Sequence, residues 1–431
     1  MLARMSAEPQ TRFWHPFADM GAVRRKALTI DRGEDVWVWD TEGRRYLDAT
    51  AALWYCNVGH GRREIADAVA RQMSRLEAYS AFGDFTNARA EELCARLAAI
   101  APVRDARVFL ASGGGDGIET ATKLARRHFQ EAGHPDRHRI IVRTNAYHGT
   151  HGHGTALAGI PANRAGWGPL PEDVSVVAHD SVDALRDEVA RIGPERIAAF
   201  FCEPVIGAGG VIPPAPGYIE GVAELCRETG ILFVCDSVIC GFGRLGTWFG
   251  IERWPGVEPD LIVFAKGVTS GYLPLGGVIA SGRVAEPFFA APGGPQFRHG
   301  ATYAGHATVC AAALANLDIL ERDGLLARGQ ELEGDLYEAL MQLTGHELVG
   351  EVRGGTGLAG AVELSAEALA ERPGAAAELA MLARKGGVLV RPLAAGVAVS
   401  PPLTATPDHF ELIIEALSTA LDEMVASATT A

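Results

Sequence analysis

Only four of the chain's 39 basic residues are lysines, and one of them, Lys266, closes the apolar run Leu261-Ile262-Val263-Phe264-Ala265. An ammonium at the end of a buried strand is costly to desolvate, and desolvation lowers its pKa toward the range in which a neutral amine attacks a carbonyl. The position suggests Schiff-base chemistry; a lysine whose stem packs on the strand while its head reaches water is the plainer alternative. About thirty residues upstream, Asp236 ends the run Ile231-Leu232-Phe233-Val234-Cys235. A buried carboxylate needs a partner. Lys266 would make a structural ion pair with it, and the protonated ring nitrogen of a bound cofactor would make a chemical one.

Three further stretches could touch a ligand. In Gly113-Gly114-Gly115-Asp116-Gly117, between a strand and a helix, glycines let backbone N–H groups approach an anion such as phosphate at a helix N-terminus. No Gly-Lys-Ser/Thr follows and the spacing Gly-x-Gly-x-x-Gly is missing, which argues against nucleoside triphosphates and dinucleotides. Tyr147 follows a strand and could stack on a flat heterocycle, or serve as a core tyrosine on a loop. The run His148-Gly149-Thr150-His151-Gly152-His153 could offer three imidazoles to zinc, but with no thiolate or carboxylate near it in sequence we expect no metal.

These residues need a scaffold that delivers them to one place. Apolar runs at 107–110, 139–142, 197–202, 231–236 and 261–265 alternate with helical stretches at 118–130 and 218–229, the latter closed by Gly230. Such alternation predicts an α/β fold with a mostly parallel central sheet, whose ligands bind beyond the carboxyl ends of the strands. Gly114, Tyr147, Glu203, Asp236 and Lys266 all fall at such ends. A hairpin is predicted at 36–48 around Thr41-Glu42-Gly43. From about residue 320 the pattern changes to a long helix at 324–343, short strands near 348–350, 358–363 and 387–392, and a closing helix at 408–425. We therefore expect residues 61–320 to form a large domain, with 1–60 and 321–431 joining in a smaller α+β domain.

Bulk properties narrow the class. Hydrophobic content of 48% and charged content of 21% suit a globular enzyme, and a net charge of -14 argues against nucleic acid or an anionic membrane as main partner. No stretch is long and apolar enough for a bilayer span, and residues 1–10 lack the apolar core of a secretory signal. Seven scattered cysteines without a Cys-x-x-Cys pair give a reduced, cytoplasmic pattern.

The set Asp236-x-Val238…Gly241-Phe242-Gly243-Arg244…Phe264-Ala265-Lys266-Gly267, with the glycine loop and Tyr147-His148-Gly149 upstream, resembles the class III aminotransferases, pyridoxal-phosphate enzymes of fold type I. The resemblance runs from Trp14-His15-Pro16-Phe17 to Arg391-Pro392-Leu393 and Pro401-Pro402. It implies that Lys266 bonds to the cofactor aldehyde and shuttles the proton, and that Asp236 keeps the ring nitrogen protonated. It also implies that Val238 and Tyr147, with His148 beside it, flank the ring. Gly114 and Gly115 would donate to the phosphate, Glu203 would support the cofactor indirectly, and Thr302 would reach the phosphate of the opposite subunit in a homodimer with shared active sites. The chain departs from the family at Gly113-Gly114-Gly115-Asp116, where Ser-Gly-Ser-Glu is usual, at Ser237, where Glu is usual, and at Ile239, where Gln is frequent.

The resemblance extends to substrate. Arg391 matches the arginine that binds a substrate carboxylate, and Gly207-Ala208-Gly209-Gly210 lacks the glutamate that neutralises it in ornithine- and 4-aminobutyrate-type members. That pattern resembles ω-amine:pyruvate transaminases, with Trp54, Phe82 and Phe85 as an aromatic pocket wall favouring apolar amines. Diaminopelargonate synthases are the near alternative; they carry two adjacent tryptophans where this chain has Trp54-Tyr55. A non-catalytic pyridoxal-phosphate-binding relative is the remote one.

Overall fold

The structure, a computed structural model, describes residues 11–429, so the reading of residues 1–10 lies outside the described residues. Near the N-terminus β1 (Ile30–Glu34), β2 (Trp37–Asp40) and β3 (Arg45–Asp48) run antiparallel, and β2 and β3 form the expected hairpin. Asp40 closes its turn: one carboxylate oxygen accepts the N–H groups of Glu42 and Arg44, each at 2.9 Å.

The central sheet holds β4 (Arg107–Ala111), β5 (Arg139–Arg143), β6 (Val174–Val177), β7 (Ile197–Cys202), β8 (Leu232–Asp236), β9 (Leu261–Ala265) and β10 (Gly276–Ala280). Their order is β4-β10-β9-β8-β7-β5-β6, with β10 antiparallel to both neighbours and the other six parallel to one another. The six parallel strands therefore end on one edge. Both faces of the sheet are covered, which is why its strands read as continuous apolar runs. Phe200, Phe233, Cys235, Ile262 and Phe264 pack into one core, while Phe201, Leu232, Val234, Leu261 and Val263 pack into the other, with the two-residue period of a pleated strand.

Three sequence expectations shift. The helix expected at 118–130 spans Gly114–Glu131, so the glycine run is its first turn and not a loop before it. The helix expected at 324–343 is two helices, Leu325–Glu331 and Glu333–Met341. The C-terminal strands are β11 (Val349–Arg353), β12 (Gly360–Leu364), β13 (Val388–Leu389), β14 (Arg391–Pro392) and β15 (Gly396–Val399), and the run expected as one strand at 387–392 is split between two sheets. β13 pairs with β3 in parallel, tying the two ends of the chain together, whereas β14 lies at the edge of the sheet β11-β12-β15-β14. Pro392 has no N–H to give a further neighbour, which suits an edge.

Candidate active site

Lys266 follows β9 directly and has a left-handed backbone, φ 49°. Such a conformation costs a non-glycine residue on the order of 1–3 kcal/mol and persists only where its surroundings dictate it. Here Asn316 donates from Nδ2 to the carbonyls of Gly267 (2.8 Å) and Val268 (3.0 Å). Beside Gly267, Asn57 donates to the Phe242 carbonyl (2.8 Å) and accepts from the buried guanidinium of Arg244 (3.1 Å). Arg244 also spans to the carbonyls of Leu358 and Pro401, 2.7 Å each, so the central sheet and the C-terminal segment brace the same turn.

The Lys266 side chain opens on a cavity but is crowded by protein elsewhere. Burial pushes its pKa down, partly offset by the charges of Asp236 and Glu203. Among the described residues no carboxylate stands within ion-pair distance of its ammonium. Asp236, at the end of β8, pairs instead with His148: Nδ1 and Oδ2 are 2.7 Å apart and both side chains are buried. The other carboxylate oxygen accepts the Val238 N–H at 3.1 Å. The structural Asp236–Lys266 ion pair left open by the sequence is thus not formed. Glu203, after β7, accepts the N–H groups of Tyr147 (3.0 Å) and Gly207 (2.9 Å), and burial raises its pKa.

The histidine run resolves into three separate pairs: His148 with Asp236, His151 with Asp116 (3.5 Å), and His153 with Glu119 (2.8 Å). The carboxylates that the sequence does not place nearby come from three positions, and among the described residues no group of three ligating side chains is poised for a metal.

Two cavities meet at Lys266. One, of about 240 Å³, is lined by Gly114, Gly115, Tyr147, His148, Glu203, Asp236, Val238 and Lys266, which brings together every cofactor-site residue expected from sequence except Thr302. Its glycine wall is tight. A Cβ on Gly114 would stand 3.1 Å from the Val238 methyls, and the helix beginning there leaves its first N–H groups without intrahelical partners.

The larger cavity, about 880 Å³, shares Lys266, Tyr147 and Ile239 and extends to Trp54 and Arg391. Trp54 is buried in its wall, and the Arg391 guanidinium makes no hydrogen bond or ion pair among the described residues. The floor is one face of the C-terminal sheet. Arg353, Ala361, Ala398 and Arg391 are register partners across β11, β12, β15 and β14, which puts the arginines three strand spacings, about 14 Å, apart. Arg353 is already engaged, by Glu351, Glu363 and the Gly210 carbonyl. The sequence reading missed Arg353, Glu363, His179 and Phe17 in this wall. Only the alternation of β11 and β12 could have pointed to the first two.

Thr302, Phe82 and Phe85 are not brought to either cavity. All three are exposed, Phe82 by 54% and Phe85 by 56%. Tyr55 lies against Gly271, outside the larger cavity.

Residues 20–421 match the family described as Aminotransferase class-III. The putrescine–pyruvate aminotransferase of Pseudomonas aeruginosa is 34% identical, over 96% of this chain and 94% of its own length. An (S)-enantioselective omega-transaminase from Thermomicrobium roseum superposes with a TM-score of 0.91 at 39% identity, covering 95% of this chain and 96% of that one. An amine transaminase from an uncultivated Pseudomonas species, with pyridoxal phosphate bound, gives 0.90 at 36% identity over 96% and 99%. Pyridoxal phosphate is the cofactor of that family, and the small cavity suits it. That cavity offers a helix N-terminus without side chains at its first two positions, which would suit a phosphate, an oriented carboxylate, which would suit a protonated ring nitrogen, and an amine of lowered pKa, which would suit an aldehyde.

Proposed function

The chain belongs to the class III aminotransferases, and on that premise we propose that it moves an amino group from an apolar or ω-amine donor to a keto acid, pyruvate in preference, in two half-reactions. The observation that carries this reading is that Lys266 and an uncommitted Arg391 open on one cavity whose wall includes Trp54.

When bound, pyridoxal phosphate supplies an aldehyde that exchanges with the donor amine and a ring that takes up the electrons released at the donor carbon. Lys266 Nζ holds the cofactor at rest and moves the proton that leaves that carbon; its lowered pKa keeps the amine able to accept it. Asp236, fixed by His148, would meet the ring nitrogen. Val238 and Tyr147 line the cavity that would confine the ring, and Glu203 fixes the Tyr147 backbone. The N–H groups of Gly114 and Gly115 would hold the phosphate. Arg391 pairs with the keto-acid carboxylate. With Ala208 in the wall of the same cavity in place of a carboxylate, the guanidinium is free to leave when an uncharged donor tail enters.

A homodimer with shared sites completes the reading. Tyr79, Phe82, Phe85 and Tyr303 are all more than half exposed on neighbouring segments, and Thr302 lies beside Tyr303. A second copy covering this patch would bury them and bring Thr302 to the partner's phosphate. We place residues 1–60 and 321–431 in one domain and 61–320 in another, and the protein in the cytoplasm, where its seven unpaired cysteines would stay reduced.

The test is a panel of apolar amines, ω-amines, an α-amino acid and S-adenosylmethionine as donors, against pyruvate and 2-oxoglutarate, followed by the cofactor spectrum. Turnover confined to S-adenosylmethionine would favour the diaminopelargonate-synthase alternative, and no turnover with pyruvate would refute the proposal.

A further inference from the structure

We propose that His151 is a phosphate-binding residue of the cofactor site, donating from Nε2 where the bare glycine turn offers no hydroxyl. The inference rests on the cofactor reading and concerns how this chain holds the group.

The glycine turn at 113–115 supplies only backbone donors. The volume that a side chain at 115 would fill is already taken. A Cβ built on Gly115 would stand 3.2 Å from both Cε1 and Nε2 of His151, tighter than ordinary van der Waals contact. The imidazole edge thus occupies the place where a short side chain at 115 would begin. Gly149, with φ +89°, allows this approach, since its own Cβ position is 3.2 Å from the Gly115 Cα. His151 lines the same cavity as Gly114, Gly115 and Lys266.

Asp116 lies on the Nδ1 side of the ring. One of its oxygens faces His151 Nδ1 at 3.5 Å and the other accepts the Ser112 N–H at 3.2 Å. With Nδ1 turned to that carboxylate, Nε2 is the nitrogen beside Gly115. The arrangement also answers an electrostatic difficulty: Asp116 sits in the first turn of the helix whose N-terminus must hold a phosphate, and like charges there repel. An imidazole edge between the two anions separates them and presents Nε2 to the phosphate side. The other two histidines of the run are occupied, His148 by Asp236 and His153 by Glu119. His151 is half-exposed, with Nε2 free for a ligand.

The geometry predicts a swap. Apoprotein of the wild type and of the His151→Ala, His151→Gln, Gly115→Ser and His151→Ala/Gly115→Ser variants is titrated with pyridoxal phosphate and with pyridoxal, which lacks the phosphate. Binding is read by absorbance. His151→Ala should weaken pyridoxal phosphate roughly 10- to 100-fold, the range for a lost hydrogen bond to a charged group, and leave pyridoxal within about 2-fold. His151→Gln should retain much of the affinity. Gly115→Ser should be harmful beside His151 but restorative in the His151→Ala background, where the hydroxyl gains the vacated space. Unchanged pyridoxal phosphate affinity in His151→Ala, or an equal loss for both ligands, overturns the role of His151 while leaving the aminotransferase reading intact. A wild type that binds neither ligand overturns both.

Discussion

Asp236 and His148 meet across 88 residues of chain as a buried pair, with Oδ2 and Nδ1 2.7 Å apart. The Val238 N–H holds the second carboxylate oxygen. Asp236 is therefore oriented before any ligand arrives, and it does not draw on the Lys266 ammonium for its charge balance. The separation has a functional consequence. A lysine locked to Asp236 would be stabilised in its charged form, whereas one beyond ion-pair distance keeps a lowered pKa, because burial outweighs the more distant charges of Asp236 and Glu203.

Removing His148 exposes that arrangement. His148→Phe leaves a buried carboxylate with one N–H donor, and removing a hydrogen-bond partner from a buried charged group costs about 1–3 kcal/mol or more. A bound pyridinium would replace the missing partner. Urea unfolding should show a loss of this size in the apoprotein and a clearly smaller one with pyridoxal phosphate bound. Equal losses in both forms would mean that the cofactor ring nitrogen does not meet Asp236.

Lys266→Met tests the buried amine twice. Transamination should fall by about 10³-fold or more, as expected when the proton carrier is lost. The stability effect has a defined sign. The folded-state pKa of Lys266 lies below its ordinary value of 10.5, so between the two values the unfolded chain binds a proton that the folded chain does not. Wild-type stability therefore rises with pH through that window, and below it the full cost of burying an ammonium is present. The apo variant should melt higher than apo wild type by roughly 2 °C or more at neutral pH, with the gap closing toward pH 10.5. A gap that does not depend on pH would show that the ammonium is not the source.

The scaffold of this site was largely legible in the sequence, because parallel strands covered on both faces appear as unbroken apolar runs, and residues such as Glu203, Asp236 and Lys266 stand out at their ends. Partnerships were not. The acids facing His148, His151 and His153 come from two other segments, the end of β8 and the helix Gly114–Glu131, so no spacing within the run announces them. The split between β13 and β14 could not be read either, since Val390 gives no local stop signal and only strand pairing sends Arg391 to a different sheet from Val388. Arg353 and Glu363 enter the cavity wall through the register of β11 on β12. Thr302, Phe82 and Phe85 remain outside the cavities of a single chain, and their expected role needs the second copy proposed above.

Gly117 separates helix propensity from packing. Alanine in a helix interior gains about 0.8–1.0 kcal/mol over glycine. Here the new Cβ would stand 2.8 Å from Val263 Cγ1 and 3.0 Å from the Gly277 carbonyl oxygen, and a strand backbone cannot yield cheaply. Overpacking of this kind costs about 1–3 kcal/mol, so the clash wins. Gly117→Ala should lower the denaturant midpoint and weaken pyridoxal phosphate binding, because the helix that shifts begins at Gly114. The control is Gly334→Ala, in the helix Glu333–Met341, where a Cβ meets nothing within 4 Å and stability should rise by up to about 1 kcal/mol. If both variants gain stability, the helix is not seated on β9 and β10 as described.

Arg391→Ala addresses the substrate directly. A guanidinium that binds a carboxylate in a cavity contributes about 2–3 kcal/mol, so kcat/KM for pyruvate should drop roughly 10²-fold. An amine donor without a carboxylate gains nothing from that charge, and its half-reaction, followed by the cofactor spectrum in single turnover, should change by no more than a few-fold. The contrast follows from the lack of any carboxylate partner on Arg391 among the described residues and from the neutral Ala208 in the wall of the same cavity. Equal losses in the two half-reactions would show that Arg391 shapes the cavity for every substrate and does not select the keto acid. The nearby Arg353 offers the matched comparison. Its three engaged nitrogens tie it to Glu351, Glu363 and the Gly210 carbonyl, so Arg353→Ala should reduce stability and disturb both half-reactions alike.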